Sequence, residues 1–202
     1  MNNVVEIIGV SKSFGSHVVL DNVSLKVEVG ENMVVFGQSG TGKSVLLKCI
    51  VRLLEPDSGE IFIEGTDVLK LQIKELNEIR KQLGFLFQGA ALYDSMSVKE
   101  NLEFPLIRHF NFTPKEREEK VKSVLEKVSL EEAINKMPSE LSGGMKKRIG
   151  LARSIIAEPK LMLYDEPTTG LDPITSKEIS SLILELQKSL KMTSIVVTHD
   201  LL

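Results

Sequence analysis

The strongest constraint on this chain is the run Gly37-Gln38-Ser39-Gly40-Thr41-Gly42-Lys43-Ser44. It fits the spacing G-x-x-x-x-G-K-[ST]. It lies between a continuous apolar run, Asn32–Phe36, and a helical pattern over Lys43–Leu54 closed by Pro56 and Gly59. The glycines let the backbone curl until its N–H groups face one centre, and the helix N-terminus adds positive potential there. Lys43 then brings a charge to the β- and γ-phosphates of a bound polyphosphate, and the Ser44 hydroxyl is a candidate ligand for Mg²⁺. Such a loop needs a strand to end it on one side and a helix to start it on the other. An α/β fold is therefore expected, with Asn32–Phe36 as a buried parallel strand. The plainer reading of the run alone is a glycine-rich turn before a helix. The candidate contacts are Gly37, Gln38, Ser39, Gly40, Thr41, Gly42, Lys43, Ser44 and, one residue on, Val45.

A second signal is Leu161-Met162-Leu163-Tyr164-Asp165-Glu166, an apolar strand ending in two carboxylates. A phosphate-binding loop of this type needs an acidic side chain near Mg²⁺, the place for Asp165. Glu166 is next along the strand and is the candidate to accept a proton from, or to orient, an attacking water. Taken singly, two acids ending a strand before Pro167 mean no more than a solvated strand end. A third signal is Leu141-Ser142-Gly143-Gly144-Met145, which opens a helix over Ser142–Ala157. Ser142 suits an N-cap, and the two glycines leave that helix end open to an anion. In isolation this too is only a well-capped helix.

The rest of the chain supplies a frame. Val4–Val10, His17–Leu20 and Ser24–Val29 read as β structure, and Gly84–Phe87, Leu161–Tyr164 and Ser194–Val197 as further buried strands. Between about Gly89 and Pro159 helical patterns dominate, over Ser97–Phe104, Pro114–Val128 and Ser142–Ala157. In the last, apolar residues at 145, 149, 152 and 156 share one face. One domain is expected over residues 1–202, with an inserted helical subdomain at about 89–160.

The three signals, in this order, resemble the nucleotide-binding domain of an ABC-type ATPase, and the likeness runs over essentially the whole chain. Leu-Ser-Gly-Gly is that family's most specific mark. The resemblance implies an α/β P-loop NTPase fold with an N-terminal antiparallel β subdomain, a mixed or parallel core sheet and an inserted helical subdomain. It also implies ATP and Mg²⁺ as cofactors, and a head-to-tail homodimer in which Ser142, Gly143 and Gly144 of one subunit meet the γ-phosphate held by the other. Further matches follow from it. Phe14 falls at the aromatic that stacks on adenine, where tyrosine is common. Gln88 falls at the glutamine that senses Mg²⁺ and couples to a membrane partner. Asp172 falls at the aspartate that communicates across the dimer, and His199 at the histidine that contacts the γ-phosphate. Glu166, His199 and Lys43 are thus the candidate catalytic residues, and Ser44, Gln88 and Asp165 the candidate metal ligands.

The fifth signature position is Met145 where glutamine is usual. With Phe87–Val98, Glu100–Leu102, Pro105–Leu106 and Met137–Met145, this is similar to the branch of the family that maintains lipid asymmetry with MCE-domain proteins. That branch implies an integral membrane permease, an MCE-type lipid-binding partner, lipid as cargo, and a peripheral position on the cytoplasmic face of the inner membrane. Tyr93 and Met96 are expected to be exposed as permease contacts, the alternative being that Leu92, Tyr93 and Met96 pack the helical subdomain. Members of the family continue past the position of His199, so C-terminal elements are expected to be missing.

Composition narrows the alternatives. Net charge is −3, so bulk charge does not favour nucleic acid. Lys146, Lys147, Arg148 and Arg153 then read as a solvated helix face, and no direct nucleic-acid contact is expected. No apolar run approaches the roughly 18 residues of a membrane span. The N-terminus lacks signal-peptide regions, and the lone Cys49 points to a reducing compartment. The rival functions are a soluble ABC ATPase acting on nucleic acid or the ribosome, and a small-molecule kinase on the same loop. The segment between Lys43 and Ser142 lacks the long coiled coil of chromosome-acting members, and a kinase has no use for Ser142-Gly143-Gly144 or His199.

Overall fold

The structure, a computed structural model, describes residues 3–199. In chain order the elements are β1 (Asn3–Phe14), β2 (His17–Glu28), β3 (Asn32–Phe36), α1 (Lys43–Ile50), β4 (Ser58–Ile63), β5 (Thr66–Asp67), α2 (Ile73–Arg80) and β6 (Leu83–Leu86). Then come α3 (Val98–His109), α4 (Pro114–Lys127), α5 (Gly143–Ile155), β7 (Leu161–Asp165), α6 (Pro173–Leu190) and β8 (Thr193–Thr198). Two sheets result. One is antiparallel in the order β2-β1-β4-β5, and the other is wholly parallel in the order β3-β8-β7-β6.

The residues explain the layering. In β1, Val5, Ile7 and Val10 are fully buried and turn toward α1, whose Leu46, Leu47 and Ile50 also face Leu161, Leu163, Ile195 and Val197 of the parallel sheet. The opposite face of that sheet, Met162, Tyr164 and Val196, packs on α3 to α6 through Leu102, Leu106, Val121, Ile149 and Ile183. Period two in the strands sends alternate side chains to the two faces, so each face of the parallel sheet has its own core. β7 is buried at every position, as its unbroken apolar run requires. Ser97 caps α3 and Thr113 caps α4, each in a reciprocal pair with the Glu three residues on.

The structure departs from the sequence reading in several elements. β3 is parallel, pairing Asn32 with Ser194 through Phe36 with Thr198, but it is not buried. It ends the sheet, so one face stays open, and Val34 and Phe36 are more than half exposed. The core sheet has no antiparallel member among the described residues. α1 stops at Ile50, short of Leu54, whereas α3 continues past Phe104, through Pro105, to His109. β4, β5, α2 and α6 were not anticipated.

Candidate functional site

The loop between β3 and α1 is built as its glycines require. Gly40 and Gly42 have φ of +83° and +90°, and a Cβ on Gly42 would meet the Val19 carbonyl at 2.7 Å. The Lys43 Nζ donates to the carbonyls of Gly37 (2.7 Å) and Gln38 (2.8 Å) and lies 3.3 Å from the Glu166 carboxylate. Val45 follows on α1, half-buried beside the loop.

The parallel order brings the ends of β3, β7 and β8 together at this loop. Ser44 Oγ donates to Asp165 Oδ1 at 2.5 Å. Glu166 Oε2 lies 2.5 Å from His199 Nδ1, accepts from the His199 backbone N–H (3.3 Å), and receives the Thr169 hydroxyl at 3.2 Å. Burial pushes the Glu166 carboxyl pKa up, but hydrogen bonds from His199 and Lys43 more than offset this and hold it below the ordinary carboxylate value. The carboxylate is therefore ionised at neutral pH.

A cavity of about 520 Å³ opens onto this cluster. Ser39, Gly40, Gly42, Lys43, Ser44 and Val45 line one wall, and Gln88, Glu166 and His199 another. His17, Val19 and Thr169 complete it. These three were missed; Thr169 had a readable signal in its spacing of three from Glu166. Phe14 is half-exposed at the end of β1, paired in register with His17, with Lys12 Nζ 5.6 Å from its ring. It does not line the cavity, and neither do Gly37, Gln38 and Thr41.

The Ser44 hydroxyl and Asp165 carboxylate are hard oxygen donors already within hydrogen-bond reach of each other. This donor set fits Mg²⁺, which keeps several waters and takes only one or two protein ligands beside phosphate oxygens. Among the described residues no group of three or more His, Cys, Asp or Glu side chains is arranged to hold a metal.

Ser142, Gly143 and Gly144 stand away from that cavity at the start of α5, where Ser142 Oγ accepts from the Met145 N–H at 3.2 Å. Asp172 caps α6, accepting from Ile174 N, Thr175 N and, at 2.5 Å, the Thr175 hydroxyl. A Cβ on Gly144 would meet Thr175 Cγ2 at 2.7 Å, so the two helix starts abut.

The basic residues of α5 do not form a solvated face. Lys147 is 5% exposed, Arg148 pairs with Glu178 at 2.9 Å, and Arg153 donates to the carbonyls of Ala90 (3.0 Å) and Ala91 (2.8 Å). A second groove, of about 490 Å³, runs beside β6 and α3. Phe85 stacks on Phe87 at 4.2 Å there, and Tyr93, 45% exposed, tilts against Phe104 at 4.9 Å. Met96 is half-buried rather than exposed, because the buried amide of Asn101 ties down the carbonyls of Tyr93, Met96 and Ser97.

Comparison with known proteins agrees with this arrangement. The family model described as "ABC transporter" matches residues 20–169. A probable ribonucleotide transport ATP-binding protein, mkl, of Mycobacterium leprae is 42% identical over 200 residues, covering 99% of this chain and 58% of that protein. The intermembrane phospholipid transport system ATP-binding protein MlaF of Haemophilus influenzae is 43% identical over 198 residues, covering 98% of this chain and 75% of that one. Among solved structures, the dimeric post-hydrolysis state of the ATP-binding cassette MJ0796, bound to ADP and Pi, superposes with a TM-score of 0.87 at 34% identity, covering 97% of this chain and 88% of that one. The chain spans little more than half the length of the mkl relatives. A glycine-rich loop between strand and helix, two acids at the end of another strand of the same sheet and a glycine-rich helix start, set on this fold and matched over most of the sequence, place the chain in the ABC transporter family.

Proposed function

We propose that this chain binds and hydrolyses ATP as the cassette subunit of an ABC transporter. The observation that carries the reading is the meeting of Lys43, Ser44, Asp165, Glu166 and His199 at one cavity. In the proposed step Glu166 takes a proton from water. The water oxygen bonds to the γ-phosphorus as the bond to the bridging oxygen breaks, and ADP and phosphate leave. Lys43 offsets charge on the transferring group, the largest type of contribution in phosphoryl transfer, and His199, on the same cavity, can hydrogen-bond it. Ser44 and Asp165, with Gln88 at the rim, are the residues to hold Mg²⁺, which would neutralise phosphate charge. Phe14 is assigned to the adenine, half-exposed as it is.

Residues 1–202 are taken as a single cassette with a helical block at about 89–160. Ser142, Gly143 and Gly144, standing outside the chain's own cavity, are assigned to the phosphate site of a second copy, with Asp172 at the same junction. The dimeric cassette structure supports this. The aromatic groove around Tyr93 is the proposed seat of a helix from a membrane permease. No helix among the described residues is long and apolar enough to cross a membrane. The proposed position is peripheral, on the permease at the cytoplasmic face of the inner membrane. Met145 and the likeness to MlaF favour lipid as cargo and an MCE-type protein as a further partner.

Phosphate release from ATP by the purified chain, with and without Mg²⁺, tests the enzymatic reading. Affinity isolation from its own cells in mild detergent tests the partners. A multi-pass subunit with an MCE-domain protein and phospholipid supports the lipid reading, a different solute-binding partner removes lipid as cargo, and ribosomes or DNA without membrane protein remove transport.

A further inference from the structure

Lys147 has no part in the step above, yet it is buried between the ends of β6 and β7, beside Gln88 and Glu166. Its Nζ donates to the backbone carbonyl of Gln88 and, at 3.4 Å, to that of Glu166. One ammonium on α5 therefore grips both the loop after β6 and the turn after β7. Both segments carry left-handed backbone at residues with side chains. Glu166 has φ +49°, and Ala90 and Ala91 have φ +60° and +50°. Such conformations persist only where the surroundings fix them.

The same stripe of α5 provides that fixing. Positions 147, 150 and 153 recur every three residues and so stack along one side of the helix. Arg153 holds the Ala90 and Ala91 carbonyls. Gly150 gives room for the approach, since a Cβ there would lie 2.8 Å from the Ala90 Cβ. A desolvated cation is costly compared with an apolar residue of the same size, so Lys147 is a poor choice for packing alone. Burial depresses its pKa, while the nearby charges of Asp165 and Glu166 oppose that.

We propose that Lys147 is a positioning residue for ATP hydrolysis. By holding the carbonyls of Gln88 and Glu166, it sets those two side chains relative to each other and to the helix that begins at Ser142. A shift of α5 then moves the metal-facing glutamine and the proton acceptor together. This rests on the ATPase reading.

The test compares the wild-type chain with Lys147→Met and Lys147→Arg, measuring kcat, KM, the Mg²⁺ concentration for half-maximal rate, and binding of a non-hydrolysable ATP analogue. Lys147→Met is expected to fold and to bind the analogue as the wild type does. Its kcat should fall about tenfold or more, as for lost outer partners of a metal site, with KM nearly unchanged and a raised Mg²⁺ requirement. Lys147→Arg, which keeps cationic donors, should recover most of the rate. Where Lys147→Met fails to fold, Lys147→Gln takes its place with the same expected loss. Wild-type kcat and Mg²⁺ requirement in Lys147→Met, or equal loss in the Met and Arg variants, overturns the positioning role alone. A wild-type chain that releases no phosphate overturns the ATPase reading and this role with it.

Discussion

Glu166 meets two partners from different elements, the Lys43 ammonium of α1 and the His199 ring after β8, and its own backbone is held in the left-handed region. Replacing the carboxylate with an amide keeps its shape and removes its ability to take a proton. Glu166→Gln should bind ATP with near wild-type affinity and lose on the order of 10²–10⁴ in kcat, checked by equilibrium binding and phosphate release. Retained turnover would remove Glu166 as the base. The same group predicts a stability effect with acid. A carboxyl with a depressed native pKa stabilises the fold above its unfolded value and loses that contribution as pH falls through the native one. Thermal melting below about pH 4.5 should therefore decline less steeply in Glu166→Gln than in the wild type. Lys43→Ala should instead weaken nucleotide binding itself. These residues were legible in the sequence because each falls at a fixed offset in a local motif. Lys147 was not, because its partners are backbone carbonyls 59 and 19 residues away, and nothing in a sequence marks a carbonyl as available.

Among the elements, α3 and α4 carry a signal beyond the helical pattern from which they were read: Ser97 and Thr113 stand three residues before Glu100 and Glu116, and both capping pairs form. Ser97→Ala should lower stability by about 1 kcal/mol, measured by urea denaturation. Gly150→Ala forces a methyl against Ala90 and should cost about 1–3 kcal/mol, with the loop after β6 displaced. β3 was misjudged for a physical reason. An apolar run specifies a strand but not how many of its faces are covered, and that depends on its place in the sheet. β4 and β5 had little to announce them, since β4 is exposed over Ser58–Glu60 and β5 is a two-residue strand. α6 is a different case: Ile179, Leu182, Ile183 and Leu186 keep a helical spacing behind the Asp172-Pro173 start, and the buried face was there to be read.

For the whole molecule the groove around Tyr93 and the cavity around Lys43 are distinct, and the proposed docking and hydrolysis fall to one each. Tyr93→Ala should leave phosphate release by the isolated chain intact and weaken co-purification with a membrane subunit; unaltered assembly would remove the groove as the docking seat. One element, α5, touches both regions, with Arg153 5.7 Å from the Tyr93 ring and Lys147 at the strand ends. The parallel sheet also has a consequence for how the chain acquires its activity. β1 and β2 meet across a tight turn at Gly15-Ser16, whereas β3 must find β8 over a separation of 162 residues. Closing so long a loop is entropically slow, and parallel pairing cannot begin with a hairpin. During refolding, amides of β1 and β2 should gain protection from hydrogen exchange before those of β3. ATP binding should then appear only in the late phase, because the glycine-rich loop that follows β3 is set in place only when β3 joins the sheet.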